Sequence, residues 1–145
     1  MKSRRIHDGL YLANATILVT HQIDAAYWHE WTLFGMPGGV QLFLLLNLPI
    51  LFLILHGTRA LALGLGSGLV ISWVVVCCGL FAFGFHSFHL LRGDEAFTLP
   101  VSLGLLATTL VLSVAQAASL LVLRRESGGG ASGLGQDQRT CSEGP

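Results

Sequence analysis

Ionisable side chains cluster in the stretch HQIDAAYWHEW, which runs from His21 to Trp31 at the far end of the first apolar segment. On a helix His21 and Asp24 lie three residues apart, so their side chains share a face and are close enough to hydrogen-bond. A carboxylate in that position fixes the tautomer of the imidazole and raises its basicity. His29 and Glu30 point away from that face and lie about 12 Å further out along the helix axis. Asp24 and Glu30 are therefore the candidate catalytic residues.

A second pair of histidines stands in FHSFHLLRGDE, after the third apolar segment. His86 and His89 are also three residues apart, so they share a face if the helix continues past Phe85. With His21 and Asp24 they form a candidate metal site, because imidazole and carboxylate ligands suit zinc or iron better than calcium. No compact signature such as H-E-x-x-H is present, so the ligands would come from separate helices. The alternative is that His86 and His89 lie at the membrane surface and contact water and headgroups.

The whole chain is unusually apolar for its length. It has 145 residues, of which 52% are hydrophobic and 11% are charged, and its mean hydropathy is +0.67. A soluble domain of this size has too little interior to bury so much apolar surface. Three stretches without Lys, Arg, Asp or Glu, at 38–57, 61–85 and 98–123, are each about as long as the ~20 residues that a helix needs to cross a bilayer. The composition therefore predicts an integral membrane protein whose partner is the lipid bilayer, and no nucleic-acid partner is expected.

The first apolar segment, 9–28, is more polar than the other three because it contains Asn14, His21 and Asp24. We expect it to insert as a fourth span, with its polar face shielded by the other helices. The predicted fold is therefore all-α, a four-helix transmembrane bundle with up-down-up-down topology and short links.

The predicted helices cover residues of about 9–31, 39–56, 61–89 and 98–124, and HGTR at 56–59 is the expected link between the second and the third. Residues 1–125 form the membrane domain. The tail, 126–145, is rich in Gly and Ser and is predicted to be disordered.

Basic residues fall almost entirely on one side of the four predicted spans. With the N-terminus inside, seven of the eight Lys and Arg residues are cytoplasmic, and only Arg92 is outside. Cytoplasmic loops of membrane proteins usually carry such an excess of basic residues. Both termini are therefore predicted to be cytoplasmic, in what we expect to be a bacterial inner membrane. The seven residues are Lys2, Arg4, Arg5, Arg59, Arg124, Arg125 and Arg139.

Two stripes of small or polar residues mark helix faces that should be buried. Gly64, Gly68 and Ser72 recur every four residues, which allows close approach of another helix. We favour packing within the bundle for this stripe, and the alternative is homo-oligomerisation through the same face. In the last span, Ser102, Thr109, Ser113 and Gln116 share a face and are expected to form hydrogen bonds between helices.

HQIDAAYWHEW followed by LFGMPGGVQLFLLLNLP resembles a small, uncharacterised family of bacterial integral membrane proteins, known as a domain of unknown function. The resemblance covers most of residues 9–123. The chain is also similar, more weakly, to the HXXEE family of membrane enzymes, which is named for a motif on an early helix. In that likeness His21 matches the histidine and Asp24 the first acidic residue, whereas Ala25 stands at the second glutamate. Neither resemblance implies an established activity.

Three classes of function fit the sequence. We favour a membrane scaffold or accessory protein in which the polar His/Asp cluster of the outer half serves packing. The second class is a metal-dependent, hydrolase-like membrane enzyme that binds zinc through His21, Asp24, His86 and His89. The third is an oligomeric transporter that moves protons or ions through a buried His–Asp pair.

Overall fold

The structure is a computed structural model that describes the backbone of residues 2–140 and the side chains of residues 2–127. Within these residues it has four long helices and one short helix and no strand, which confirms the all-α prediction. Much of the tail predicted at 126–145 lies outside the described side chains, and 141–145 lies outside the described backbone, so its disorder stays a prediction. The helices are α1 (Lys2–Tyr27), α2 (Glu30–Leu33), α3 (Val40–Ala62), α4 (Gly66–Leu91) and α5 (Pro100–Thr140).

Three helices are long and apolar enough to cross a membrane, namely Val40–Ala62, Gly66–Leu91 and Pro100–Ser127. Their mean hydropathies are 2.1, 2.3 and 2.0. Large apolar side chains such as Leu48 and Phe52 of α3 are exposed on the outside of the structure, as lipid-facing side chains should be. These helices indicate a membrane protein. α1 is not among the spans found in the described residues.

The link between α3 and α4 lies later in the chain than predicted. HGTR remains helical, α3 ends at Ala62, and Gly64 adopts the left-handed conformation with φ +72°. The amide of Leu65 donates to the Ala60 carbonyl at 2.9 Å and the amide of Gly64 donates to the Leu61 carbonyl at 3.0 Å, which is the Schellman arrangement that ends many helices. Gly64 is therefore a turn residue, and it is not part of a small-residue stripe on α4.

α3 continues through HGTR because Gly57 is held by a tertiary contact. A Cβ atom at this position would collide with the hydroxyl of Tyr11 and with Ile71. The absence of a side chain lets the Tyr11 hydroxyl reach the helix and donate to the Ile54 carbonyl at 2.8 Å. This contact is part of the apolar core between α1, α3 and α4, which comprises Tyr11, Ala15, Leu18, Ile54, Leu61, Ile71 and Val75.

α1 is the central element of the packing, because it contacts α3, α4 and α5, while α4 also lies against α3 and α5. Its buried face also carries polar side chains. Asn14 donates from Nδ2 to Gln116 Oε1 at 2.8 Å and to Ser113 Oγ at 3.2 Å. Imidazole nitrogens of His7 lie 2.8 Å from Ser119 Oγ and 2.9 Å from Ser72 Oγ. We call this set the inner polar layer: His7, Asn14, Ser72, Ser113, Gln116 and Ser119.

Three of the four polar residues predicted on the buried face of the last span, Ser102, Ser113 and Gln116, make hydrogen bonds to α1. The fourth, Thr109, donates instead to the Leu105 carbonyl of its own helix.

The inner polar layer places Ser72 of the predicted small-residue stripe inside the chain, next to His7. Gly68 is covered as well, since a Cβ atom there would lie 2.8 Å from the Leu61 amide nitrogen. Both residues thus serve packing within the chain, and homo-oligomerisation stays a prediction.

Candidate functional site

The end of α1 is where the chain departs most from a straight helix. α1 stops at Tyr27, and His29 takes a left-handed conformation with φ +53°, which is uncommon for a residue with a side chain. The short helix α2 then begins at Glu30. The helix predicted over 9–31 is therefore broken, and Glu30 turns back into the bundle, where its side chain is buried.

Glu30 contacts one of two buried histidines that pack against each other at this point. His21 from α1 and His86 from α4 pack edge to face, with their ring centroids 4.9 Å apart. Glu30 Oε1 lies 3.1 Å from His86 Nε2, although the contact is out of line for a hydrogen bond. The sequence prediction that Glu30 points away from His21 is thus wrong, because the turn at His29 reverses its direction.

Asp24 completes the group through α5. Its Oδ1 accepts a hydrogen bond of 2.9 Å from Ser102 Oγ, and the indole nitrogen of Trp28 donates to the same Ser102 oxygen at 3.1 Å. The predicted hydrogen bond between His21 and Asp24 is not formed, since Asp24 Oδ1 is bonded to Ser102 and Asp24 Oδ2 has no partner. We call His21, Asp24, Glu30 and His86 the outer cluster.

His89 does not belong to the outer cluster. Its Nδ1, in the last turn of α4, lies 2.6 Å from Oδ2 of Asp94 in the loop that follows, and both side chains are partly exposed. Among the described residues, no group of three His, Cys, Asp or Glu side chains is arranged to hold a metal ion. The predicted metal set of His21, Asp24, His86 and His89 is therefore only partly brought together, and zinc binding stays a prediction.

Phe97 closes the outer cluster on the side of the α4–α5 loop. The centroid of its ring lies 4.0 Å from that of the His86 ring and 5.7 Å from that of the His21 ring, and its side chain is buried. Its φ of +62° is a strained conformation for a bulky residue. Such strain persists only where the surrounding structure enforces it, and it is most often found at functional sites.

The two polar regions of the bundle differ in how completely their hydrogen bonds are made. Five buried side-chain nitrogen or oxygen atoms of the described residues have no hydrogen-bond partner, and four of them belong to the outer cluster. The four are His21 Nδ1, Asp24 Oδ2, and both ring nitrogens of His86; the fifth is Asp8 Oδ1. Buried polar atoms are normally bonded, because an unpartnered one costs about 1–3 kcal/mol. The outer cluster therefore retains unused hydrogen-bonding capacity.

One of these four atoms, Nδ1 of His21, belongs to a residue that lines an apolar cavity of about 260 Å³ between α1, α3 and α4. His21 and Glu30 form part of its wall, and Gln22 and Asn47 are the other polar lining residues. The rest of the lining is apolar or contains sulfur, for example Phe34, Phe43, Ile50, Cys78 and Phe85. An apolar pocket with a few convergent polar groups is the usual form of a small-molecule site.

Sequence comparison gives the chain a family. A family model described as a family of unknown function, DUF6713, matches residues 7–123. The chain belongs to the DUF6713 family. The match covers every residue of the outer cluster and every residue that lines the cavity. It agrees with the resemblance seen in the sequence. No curated protein and no solved structure matches the chain.

Sequence reasoning found the members of the outer cluster but not their surroundings. The helical period predicted that His21 and Asp24 face the interior, and His21 is indeed 2% exposed. Phe97 was missed, because nothing in EAFTLP predicts that an aromatic ring folds inward at positive φ. Ser102 was identified only as part of a polar face, and its bond to Asp24 depends on the packing of α5 on α1.

Proposed function

We propose that the DUF6713 chain forms a four-span, up-down-up-down membrane bundle in which α1 is the fourth span. Contacts near the start of α1, between Ser3 and Glu126 and between His7 and Ser72, support this arrangement. Contacts near its end, between Asp24 and Ser102 and between His21 and His86, agree with it. The first set joins the start of α1 to the start of α4 and to the end of the span in α5, and the second joins the end of α1 to the end of α4 and to the start of α5. The excess of basic residues at the inner end favours cytoplasmic termini.

We further propose that this protein binds a small, largely apolar molecule whose polar group contacts the outer cluster. The single observation that carries the proposal is a buried, unpartnered imidazole nitrogen, Nδ1 of His21, in a residue that lines the apolar cavity. A ligand that hydrogen-bonds to this nitrogen offsets its desolvation, and the apolar part of the ligand fills the cavity.

His21 is the residue best placed to recognise the ligand. It lines the cavity, it is buried, and its Nδ1 is unpartnered. Glu30 also lines the cavity, and its Oε1 lies 3.1 Å from Nε2 of His86, which is not among the lining residues. The imidazoles can donate or accept a hydrogen bond according to their tautomer, and a carboxylate accepts one. The site can therefore bind a ligand group that donates a hydrogen bond or one that accepts a hydrogen bond.

The test uses 1-naphthol, a fluorescent molecule with a fused apolar ring and one hydroxyl group. Binding is measured by fluorescence titration of the protein in phosphatidylcholine nanodiscs, with empty nanodiscs as the blank. We expect saturable binding to the wild type. Ala82→Trp, which places an indole in the cavity lining, should abolish it, whereas Ala107→Trp on the exposed face of α5 should not.

The hydrogen bond is tested separately with His21→Leu. This change should weaken the binding of 1-naphthol by about tenfold, the equivalent of about 1.4 kcal/mol, because one hydrogen bond is lost. The binding of naphthalene, which has no hydroxyl group, should change little. Absence of saturable binding to the wild type, or equal binding by Ala82→Trp and Ala107→Trp, would refute the proposal.

A membrane scaffold is the second candidate function. The observation that favours it is the inner polar layer, whose hydrogen bonds are made entirely within the chain and fix how α1, α4 and α5 pack. A scaffold needs no ligand. Under this function we expect no saturable binding of 1-naphthol, and a substitution that fills the cavity, such as Ala82→Trp, should leave the function of the protein unchanged.

A further inference from the structure

A second apolar depression lies next to the cavity, on the outer surface between α1 and α3. It has a volume of about 360 Å³. Exposed apolar side chains such as Ile23 and Leu48 form its rim, so it faces the lipid when the bundle lies in a bilayer. We call it the α1–α3 groove.

The groove and the cavity are adjoining spaces. Both are lined by the same five residues, which form the boundary between them: Gln22, Phe43, Asn47, Ile50 and Ile54. Three of the five are apolar, and the other two, Gln22 and Asn47, carry uncharged amides. These side chains stand between the two spaces, so a molecule with its polar group at His21 and Glu30 reaches the groove and the surrounding lipid only by passing between them.

The charges of the outer cluster restrict the polar group of such a molecule. Glu30 and Asp24 are both acidic, and Glu30 is already accompanied by His86. An anionic group, such as a phosphate or an ionised carboxylate, would meet carboxylates in a buried site, which is unfavourable. A quaternary ammonium group could not hydrogen-bond to the free nitrogen of His21. A hydroxyl group can both donate to a carboxylate and accept from an imidazole.

We propose that the ligand is a single-chain lipid with an uncharged hydroxyl head group, which enters from the bilayer through the α1–α3 groove. The head group hydrogen-bonds to His21 and Glu30, and the chain lies in the groove. Phospholipids are excluded by their charged phosphate. This inference rests on the proposed ligand-binding function and adds to it the class of ligand and its route of entry.

The experiment uses hexadecanol that carries a diazirine midway along its chain and a terminal alkyne. The full-length protein is reconstituted in phosphatidylcholine vesicles, irradiated, and analysed by mass spectrometry of its peptides. We expect adducts on peptides of α1 and α3 that line the groove. Unlabelled hexadecanol should compete for these adducts, while palmitate at pH 8, hexadecyltrimethylammonium and added phosphatidylcholine should compete at least about tenfold less well.

A matched pair of variants tests the route. Ala26 is partly buried in the groove, and Ala13 is exposed elsewhere on the same helix. Ala26→Trp should reduce the adducts by about tenfold or more and leave binding of 1-naphthol in the cavity intact, while Ala13→Trp should change neither. If 1-naphthol binds but hexadecanol does not label the groove, this inference fails and the proposed function stands. If Ala26→Trp forms as many hexadecanol adducts as Ala13→Trp, the groove is not the route. The same conclusion follows if Ala26→Trp loses both the hexadecanol adducts and the binding of 1-naphthol. If 1-naphthol does not bind the wild type, the proposed function itself fails.

Discussion

Glu30 and His86 are buried next to each other, so removing either one changes the surroundings of the other. His86 is 1% exposed, and its Nε2 lies 3.1 Å from a carboxylate oxygen of Glu30. If His86 is removed, the carboxylate stays in an apolar site without its partner. If Glu30 is removed, an imidazole is left behind, and burying it costs less than burying a carboxylate because an imidazole need not carry a charge. The stability of the bundle should therefore respond unequally to the two single changes.

We expect His86→Leu to lower the free energy of unfolding by about 1–3 kcal/mol, Glu30→Leu to lower it less, and the double change to be at least as stable as His86→Leu alone. Thermal unfolding in detergent measures all three. A double variant less stable than both single variants would mean that the pair serves mainly as a structural clamp.

Asn14 gives a second prediction for a single residue. Its side chain bonds to Ser113 Oγ and Gln116 Oε1 on α5, so Asn14→Ala leaves these two oxygens without a partner, while Gln116 Nε2 keeps its bond to the Ser72 carbonyl. Hydrogen bonds between helices in membranes are worth about 0.6 kcal/mol on average and up to about 1.7 kcal/mol. We expect a loss of about 1–2 kcal/mol in unfolding free energy, measured by denaturant titration. Thr16→Ala is the control, because Thr16 is exposed and bonds only to the Leu12 carbonyl of its own helix. Equal losses in the two variants would contradict the interhelical role of Asn14.

At the scale of the helices, Gly79 determines how closely α4 and α5 approach. A Cβ atom at Gly79 would collide with Ser113 Oγ and lie 3.2 Å from Thr109 Cγ2. Gly79→Ala should therefore destabilise the bundle by about 1–3 kcal/mol through overpacking, despite the better helix propensity of alanine. Gly84→Ala is the matched control, since no atom lies within 4 Å of its added Cβ.

The measurement for this pair is the midpoint of thermal unfolding in detergent. Gly84→Ala should leave the midpoint unchanged or raise it. Ser113→Ala, introduced together with Gly79→Ala, removes the nearest colliding atom and should recover part of the loss. A Gly79→Ala variant as stable as Gly84→Ala would show that the two helices are not in close contact at this point.

The helices could be predicted from sequence to the extent that their signals are local. Charge-free apolar runs identified α3, α4 and α5, and the helical period placed Asn14 and His21 on the buried face of α1. The boundaries were less predictable. HGTR was assigned to a link because it lies between two apolar runs, yet Tyr11 packs against Gly57 and the turn is at Gly64.

The candidate site was predictable in its composition but not in its geometry. A straight helix would carry Glu30 away from His21, and only the left-handed turn at His29 brings it back. The contact between His21 and His86 depends on the relative depth of α1 and α4, which no local pattern specifies. Phe97 enters the cluster from a loop, by a conformation that its residue type disfavours.

At the scale of the whole molecule, the number of spans determines on which side of the membrane the N-terminus lies. Four spans place Ser3 and Asp94 on opposite sides, whereas three spans, with α1 outside the bilayer core, place them on the same side. In a variant without native cysteines, Ser3→Cys should react with an impermeant maleimide only after the cells are opened, and Asp94→Cys should react in intact cells. Labelling of both positions in intact cells would exclude a spanning α1.

Synthesis imposes an order on the contacts of α1. Asn14 leaves the ribosome long before its partners Ser113 and Gln116, which lie 99 and 102 residues later in the chain. Until α5 is made, the amide of Asn14 has no partner on that helix, and the first helix is the least suited of the four long helices to sit alone in lipid. We therefore expect chains that stall or terminate before α5 to expose an incompletely bonded α1. Such chains should be substrates for membrane proteases and should depend on insertion factors that shelter a polar helix until the last one arrives.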